Sequence, residues 1–329
     1  MLKCKTGVMW KGSAASFVLN GVESVSRLAD ELASGTYRPR RPRAFTVTAP
    51  KRREIVSIAF RDRVYQRSLN DNVVYPAIAR RLIYDNAACQ KGKGTDFARN
   101  RLKCHLQRHF RKHGTDGWVL QVDVKGYYPN MRHEVAEAVF RENLPEWAWE
   151  MARDILRSQY PGDVGYNPGS QIVQIAGIAV LDRLDHFIKE RLRVRHYIRY
   201  MDDMVLIHED RGFLERCLDA IDGKLAEIGF EHNARKTRIR PISAGIAFLG
   251  FDFQLKPTGK VLMTVRSESV KRMRRRIRRM AALAKKGYRT RETVDEAYQS
   301  WRNHAAKGDS WKLLARCDRW YSGLWKEAA

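Results

Sequence analysis

Two short apolar runs, Tyr197-Ile198-Arg199-Tyr200 and Met204-Val205-Leu206-Ile207, stand on either side of Met201-Asp202-Asp203. Apolar and β-branched residues around a short polar break predict two strands joined by a tight hairpin. Another strand-like run, Val119 to Val124, carries Asp123 near its end, just ahead of a turn containing Gly126. Phe248-Leu249-Gly250-Phe251 reads as a second hairpin, and Lys51 to Ile55 as a short basic strand. Helical spacing recurs elsewhere, over Val22 to Ser34 and Ile175 to Ile188. Val270, Met273, Ile277 and Met280 fall on one helical face. The longest apolar run, Ile172 to Leu181, is interrupted by Gln174 and is too short to span a bilayer.

Charge refines this picture. The 329 residues include 62 Lys+Arg against 37 Asp+Glu, a formal net charge of +25. Such an excess implies a polyanionic partner. It is concentrated toward the C-terminus: between Arg266 and Arg289 there are eleven Lys/Arg and one acid, Glu268. Cations this dense repel one another along a helix, and a nucleic-acid backbone would relieve them. Lys271, Arg275 and Arg278 are candidates for that contact. Trp301, His304, Trp311 and Trp320 lie in later helices and read as core rather than as stacking platforms. The five cysteines are scattered without Cys-x-x-Cys spacing, and the start of the chain has no signal-peptide pattern. Reduced thiols and a cytoplasmic location are the expectation. No metal-ligand spacing of histidines suggests a zinc site.

Adjacent carboxylates at a hairpin tip repel each other and lose solvation, and a divalent cation is the usual remedy. An exposed acidic turn without chemistry is the alternative. Asp123 at a strand end supplies a further carboxylate. Together with Asp202 and Asp203 it makes a candidate site for two Mg²⁺ ions, which in such sites lie about 3.5–4 Å apart and clamp the attacking and leaving oxygens of a phosphoryl transfer. Magnesium keeps waters, so a few carboxylates suffice when substrate phosphates complete the shell. Mn²⁺ is a possible substitute.

The order Asp123-x-x-x-x-Tyr128, a Gly/Gln-rich segment, Tyr200-Met201-Asp202-Asp203, Lys236-Thr237, then Phe248-Leu249-Gly250 resembles the palm of a reverse transcriptase. The resemblance runs from about Lys51 to Gly250. It points to the bacterial branch of group II intron, retron and diversity-generating retroelement enzymes, and in plan is closest to the last. The fold it implies is α+β, a right-hand polymerase with helical fingers, an antiparallel palm sheet and a basic helical thumb. The corresponding segments are 1–117 for the N-terminal segment and fingers, 118–255 for the palm, with fingers elements returning around 150–170, and 256–329 for the thumb.

The resemblance also assigns roles. Lys51 and Arg53 share a strand face and would grip the triphosphate, unless that strand is a solvated, charge-protected edge. In Gln90-Lys91-Gly92-Lys93-Gly94, Lys91 and Lys93 would hold template backbone; relatives often have Arg where this chain has Gln90. Tyr128 occupies the place of the family's steric gate against a 2′-hydroxyl, whereas Tyr127 suits the core. Gly169 and Gln174 keep the family pattern and would contact template or nucleotide. Gln171 would do the same or cap the helix. The early Pro common in relatives is missing, and Val173 stands where Ser is frequent. Lys236 lies where relatives place a lysine near the leaving pyrophosphate, a general-acid position, although a plain surface lysine would look the same. Gly250 falls in the primer grip, or in ordinary core packing.

The implied activity is RNA-directed DNA synthesis from dNTPs on an RNA template with a DNA or RNA primer. A dedicated structured RNA and a small accessory protein would be partners. An antiviral-defence enzyme, an RNA-binding maturase-like protein and an RNA-dependent RNA polymerase are the competing readings. Tyr128 and the Tyr-Met-Asp-Asp form disfavour the last.

Overall fold

The computed structural model describes residues 1–48, 53–166 and 169–326. Its helices are α1 (Gly12–Leu19), α2 (Gly21–Ala33), α3 (Phe60–Leu69), α4 (Tyr75–Ala79), α5 (Thr95–His113), α6 (His133–Asn143), α7 (Glu146–Gln159), α8 (Gln171–Ala179), α9 (Asp182–His186), α10 (Arg211–Glu227), α11 (Ser267–Lys285), α12 (Arg291–Ala305) and α13 (Trp311–Gly323). Its strands are β1 (Arg43–Val47), β2 (Arg53–Ser57), β3 (Trp118–Asp123), β4 (His196–Tyr200), β5 (Asp203–His208), β6 (Arg238–Pro241), β7 (Ile246–Phe248), β8 (Phe251–Leu255) and β9 (Val261–Val265). Two compact units divide the chain. One holds Met1–Gly94, Gln121–Val205 and Arg216–Thr237; the other holds Thr95–Leu120, Leu206–Glu215 and the chain from Arg238 onward. Among the described residues no helix is long and apolar enough to cross a membrane.

In the first unit, polar contacts seat the N-terminal segment. Buried Asp62 on α3 accepts from the Tyr37 hydroxyl at 2.8 Å and the Arg40 amide at 3.0 Å. Arg61 reaches Glu31 on α2 at 2.6 Å. β1 and β2 form an antiparallel hairpin, from Arg43 opposite Ser57 to Val47 opposite Arg53, and every residue of β1 is solvent-exposed. The β4–β5 hairpin lies with β5 beside the end of β3. α8 explains the longest apolar run: all its residues but Gln171 and Gln174 are buried.

The helix expected over Ile175 to Ile188 is interrupted. α8 begins four residues earlier, at Gln171, and Leu181 leaves helical geometry at φ −93° and ψ 7° before α9 restarts at Asp182. Asp182 and Asp185 then fall in the first turn of α9, where unpaired amide groups favour negative charge.

In the second unit, β6 edges the start of β3, and β7, β8 and β9 form an antiparallel meander. Leu249 and Gly250 join β7 to β8 with φ of +45° and +87°. Two positive values in a two-residue connection are the requirement of a type I′ hairpin. The apolar stripe of α11 packs Met273, Ile277 and Met280 against Val294 and Tyr298 of α12 and Cys317 and Tyr321 of α13. Fully burying side chains of this size contributes roughly 1.5–3 kcal/mol each. Trp301 and Trp320 pack against this cluster. Trp311 does not: it opens α13 and is 70% exposed.

Candidate active site

Asp123 ends β3 and Asp203 opens β5, so the order of the strands brings them to one end of the first unit's sheet. A main-chain bond from Val124 N to Asp202 O, 3.3 Å, fastens the two elements at that end. Met201 and Asp202 make the hairpin turn, with Met201 at φ +55°. A non-glycine residue in the left-handed region carries strain of order 1–3 kcal/mol and persists only where its surroundings hold it.

The segment Asn233 to Thr237 is folded onto Asp123. Asn233 O accepts from Lys236 N and Thr237 N, and Asn233 Oδ1 accepts from Arg235 N, which closes a tight turn. Asn233 N donates to Asp123 O at 2.7 Å, and Asp123 N to Thr237 Oγ1 at 3.4 Å. This turn delivers the Lys236 ammonium to both Asp123 carboxylate oxygens, at 2.9 and 2.7 Å. The bond raises the lysine's affinity for its proton, so Lys236 is held in its acid form.

Burial, helped by the charges of Asp202 and Asp123, pushes the Asp203 carboxyl up to about 7. Asp202 is raised by burial and by Asp123, with Lys236 and Arg199 opposing. Protonation at neutral pH is one way to relieve such crowding, and a cation is another. Hard carboxylate oxygens that repel one another fit a divalent cation, and Asp123 is already paired with a positive group. Among the described residues no group of three or more His, Cys, Asp or Glu side chains is arranged to hold a metal ion by itself. A Mg²⁺ site that shares its ligands with substrate phosphate needs none.

Tyr127 is fully within the core and donates to Gly177 O at 2.5 Å. Tyr128 is only part-buried; its hydroxyl lies 3.9 Å from Met201 Sδ. Gly177 on α8 makes room for that ring, since a Cβ there would sit 2.5 Å from the Tyr128 hydroxyl. Gln174, one helical turn before Gly177, accepts from Cys89 Sγ at 4.0 Å. Asp123, Asp202, Asp203, Lys236, Tyr128 and Gln174 all belong to the first unit.

The Gln90 to Gly94 loop, also in that unit, turns Gln90 and Lys93 inward. Gln90 donates to Asn86 O at 2.6 Å. Lys93 Nζ donates to Tyr84 O and Asn86 O at 2.9 and 3.0 Å, a loop clasp rather than an outward cation. Lys91 is exposed; its ammonium lies over the Tyr75 ring, and its amide donates to the Tyr75 hydroxyl. Gly169 is exposed just before α8. Arg53 opens β2, and Lys51 lies outside the described residues. Gly250, Lys271, Arg275 and Arg278 belong to the second unit and are exposed. There Arg99 donates twice to Leu249 O, at 3.2 and 2.9 Å, and so steadies the turn that contains Gly250.

Sequence reasoning missed Gly177, the Asn233 and Thr237 anchors of Asp123, and the buried pair Arg199–Asp185. Two signals were available. Arg199 is a charge inside an otherwise apolar strand, and Gly177 is a glycine inside an apolar helix.

Residues 48–253 match the family described as reverse transcriptase (RNA-dependent DNA polymerase). The chain therefore belongs to the reverse transcriptase family, whose activity is that of an RNA-directed DNA polymerase, a nucleotidyltransferase. Comparison with curated proteins returns no significant match. The chain is similar to a telomerase from Candida albicans, solved in complex with a TWJ fragment of telomeric RNA. The TM-score is 0.51 at 13% identity, covering 79% of this chain and 54% of that one. It is also similar to an apo telomerase from Candida tropicalis truncated from its C-terminal domain, with a TM-score of 0.50 at 14% identity, covering 73% and 59%. The chain thus spans just over half the length of either telomerase, and the likeness is one of polymerase fold.

Proposed function

We propose that this chain copies RNA into DNA by two-metal nucleotidyl transfer, in a bacterial or phage retroelement such as a diversity-generating one. The observation that carries the reading is the meeting of Asp123 with the Asp202–Asp203 hairpin, with Lys236 bound to Asp123. Asp123, Asp202 and Asp203 would hold two Mg²⁺ ions, or Mn²⁺ in their place. When bound, these supply charge neutralisation at the attacking and leaving oxygens. The primer 3′-hydroxyl attacks the α-phosphate of a dNTP and pyrophosphate leaves. Lys236, protonated and with its side chain partly exposed, would exchange its carboxylate for phosphate and donate to the departing oxygen. Tyr128, backed by Gly177, closes the space a 2′-hydroxyl would need. Lys51 and Arg53 grip the triphosphate, and Gly169, Gln174 and Lys91 meet template or nucleotide. The inward set of Lys93 suits a role in shaping that loop.

The excess of cations supports an RNA template and a primer as partners. Gly250 and the exposed Lys271, Arg275 and Arg278 would track their backbones. In functional terms residues 1–117 are an N-terminal segment and fingers, 118–255 palm with fingers elements returning around 150–170, and 256–329 thumb. A structured RNA and a small accessory protein complete the assembly, in the cytoplasm. Primer extension on an RNA template with Mg²⁺ and dNTPs, beside Asp202→Ala, tests the reading. Product from the wild type alone, with equal RNA binding by both, is the expected outcome. Equal product from both would sink it.

A further inference from the structure

Among the described residues the largest fully buried side chain is a guanidinium, that of Arg199. Its partner, Asp185, is equally inaccessible. Arg199 Nε donates to Asp185 Oδ1 at 2.7 Å and Nη2 to Oδ2 at 2.6 Å, a bidentate pair. The Tyr197 hydroxyl donates to the same carboxylate at 2.6 Å. A buried ion pair of this kind is costly to desolvate and is often replaceable by apolar side chains without loss of stability. Packing alone therefore does not account for it.

Its remaining donors are what an apolar side chain could not supply. Arg199 Nη2 donates to Ile178 O on α8 at 2.8 Å, and Nη1 donates to Met201 O at 2.9 Å. Met201 is the residue at φ +55°, and its carbonyl belongs to the peptide that leads directly into Asp202. The main chain of Arg199 is itself tied down, by Arg199 N to Asp85 O at 3.1 Å and Ala87 N to Arg199 O at 2.9 Å. One rigid, charge-locked fork therefore connects the buried strand to the strained, half-buried turn at its tip.

We infer that Arg199, oriented by Asp185, is a positioning residue that holds the Met201–Asp202 peptide and thereby sets where Asp202 and Asp203 point. This rests on the reading of those carboxylates as metal-holding. Lysine would keep the charge but not the function, because one ammonium cannot serve a two-oxygen carboxylate and two separate carbonyls at once.

The test uses the full chain as wild type, Arg199→Lys, the neutral pair Asp185→Asn/Arg199→Gln, and Arg199→Lys/Met201→Gly. Four quantities are read: melting temperature, RNA affinity, Mn²⁺ affinity by electron paramagnetic resonance without turnover, and single-turnover dNTP incorporation on an RNA template. Arg199→Lys and the neutral pair should fold and bind RNA within about twofold of wild type. Their incorporation rate should fall roughly 10- to 100-fold, the scale of a displacement of about 1 Å at a reacting group. Mn²⁺ binding should weaken with it. Glycine adopts φ near +55° without strain, so Met201→Gly should return part of the lost rate although the Arg199 contacts stay broken, a rescue that a packing role does not produce. Wild-type rate and Mn²⁺ affinity in Arg199→Lys would overturn the inference, as would unfolding of both Arg199→Lys and the neutral pair. If the wild type itself made no product, the polymerase reading would fail, and the Mn²⁺ titrations would still decide the role of Arg199.

Discussion

Adding one methyl group at Gly177 should damage dNTP incorporation more than it damages the fold. The Cβ of Gly177→Ala would lie 2.5 Å from the Tyr128 hydroxyl, 2.9 Å from Cζ and 3.1 Å from Cε1. Ordinary contact starts at 3.4 Å, so the hydroxyl must retreat by 3.4 − 2.5 = 0.9 Å. The helix backbone of α8 is buried and cannot give way, so the ring moves. Two energies nearly cancel in stability. Overpacking costs about 1–3 kcal/mol, and alanine regains up to about 1 kcal/mol of helix propensity over glycine. A net loss of ~1 kcal/mol predicts a melting temperature lower by about 2 °C. If Tyr128 frames the incoming sugar as proposed, a shift of nearly 1 Å there predicts a fall of roughly 10²-fold in kcat/KM for dNTPs. Steady-state primer extension with each dNTP, beside thermal melting and RNA binding, measures all three. Tyr128→Phe in the same background removes the nearest atom and leaves Cζ, at 2.9 Å, as the closest, so part of the activity should return. Wild-type kcat/KM in a folded Gly177→Ala protein would refute the argument that Tyr128 frames the sugar.

Two further outcomes follow from the electrostatics. Asp203 is raised to about 7 in the folded chain, from 3.8. A carboxyl raised on folding contributes stability that is fully present below the unfolded value and is lost as pH rises through the folded one. About 3 pH units at about 1.36 kcal/mol each set an upper scale of ~4 kcal/mol. Metal-free protein should therefore lose stability between pH 4 and 7 in denaturant titrations. Mg²⁺ should restore much of it, and Asp203→Asn should flatten the profile; a flat wild-type profile would contradict the burial of that charge. Second, replacing Lys271, Arg275 and Arg278 together by Gln should weaken RNA binding and reduce the slope of log affinity against log salt by roughly 2–3. An unchanged slope would place the nucleic acid elsewhere.

Local pattern carried much of the fold. Strand and turn alternation around Met201-Asp202 and Leu249-Gly250 marked both hairpins, because hairpin chemistry is written in neighbouring residues. The stripe of Val270, Met273, Ile277 and Met280 marked α11 and its buried face for the same reason. The break between α8 and α9 was less visible, because an apolar run hides where a helix pauses.

The chain's own order of residues determined the family, the hairpins and which carboxylates are candidates for chemistry. Tertiary structure decided how those carboxylates are served. Lys236 binds Asp123 across 113 positions of sequence. Gly177 is separated from Tyr128 by two complete helices, α6 and α7, and Arg199 finds Asp185 on another element. The inward turn of Lys93 depends on the carbonyls of Tyr84 and Asn86, and no alternation or charge count records where a carbonyl points. Such contacts join elements distant in sequence, so neither periodicity nor propensity encodes them, and only the folded chain brings the donors to their acceptors.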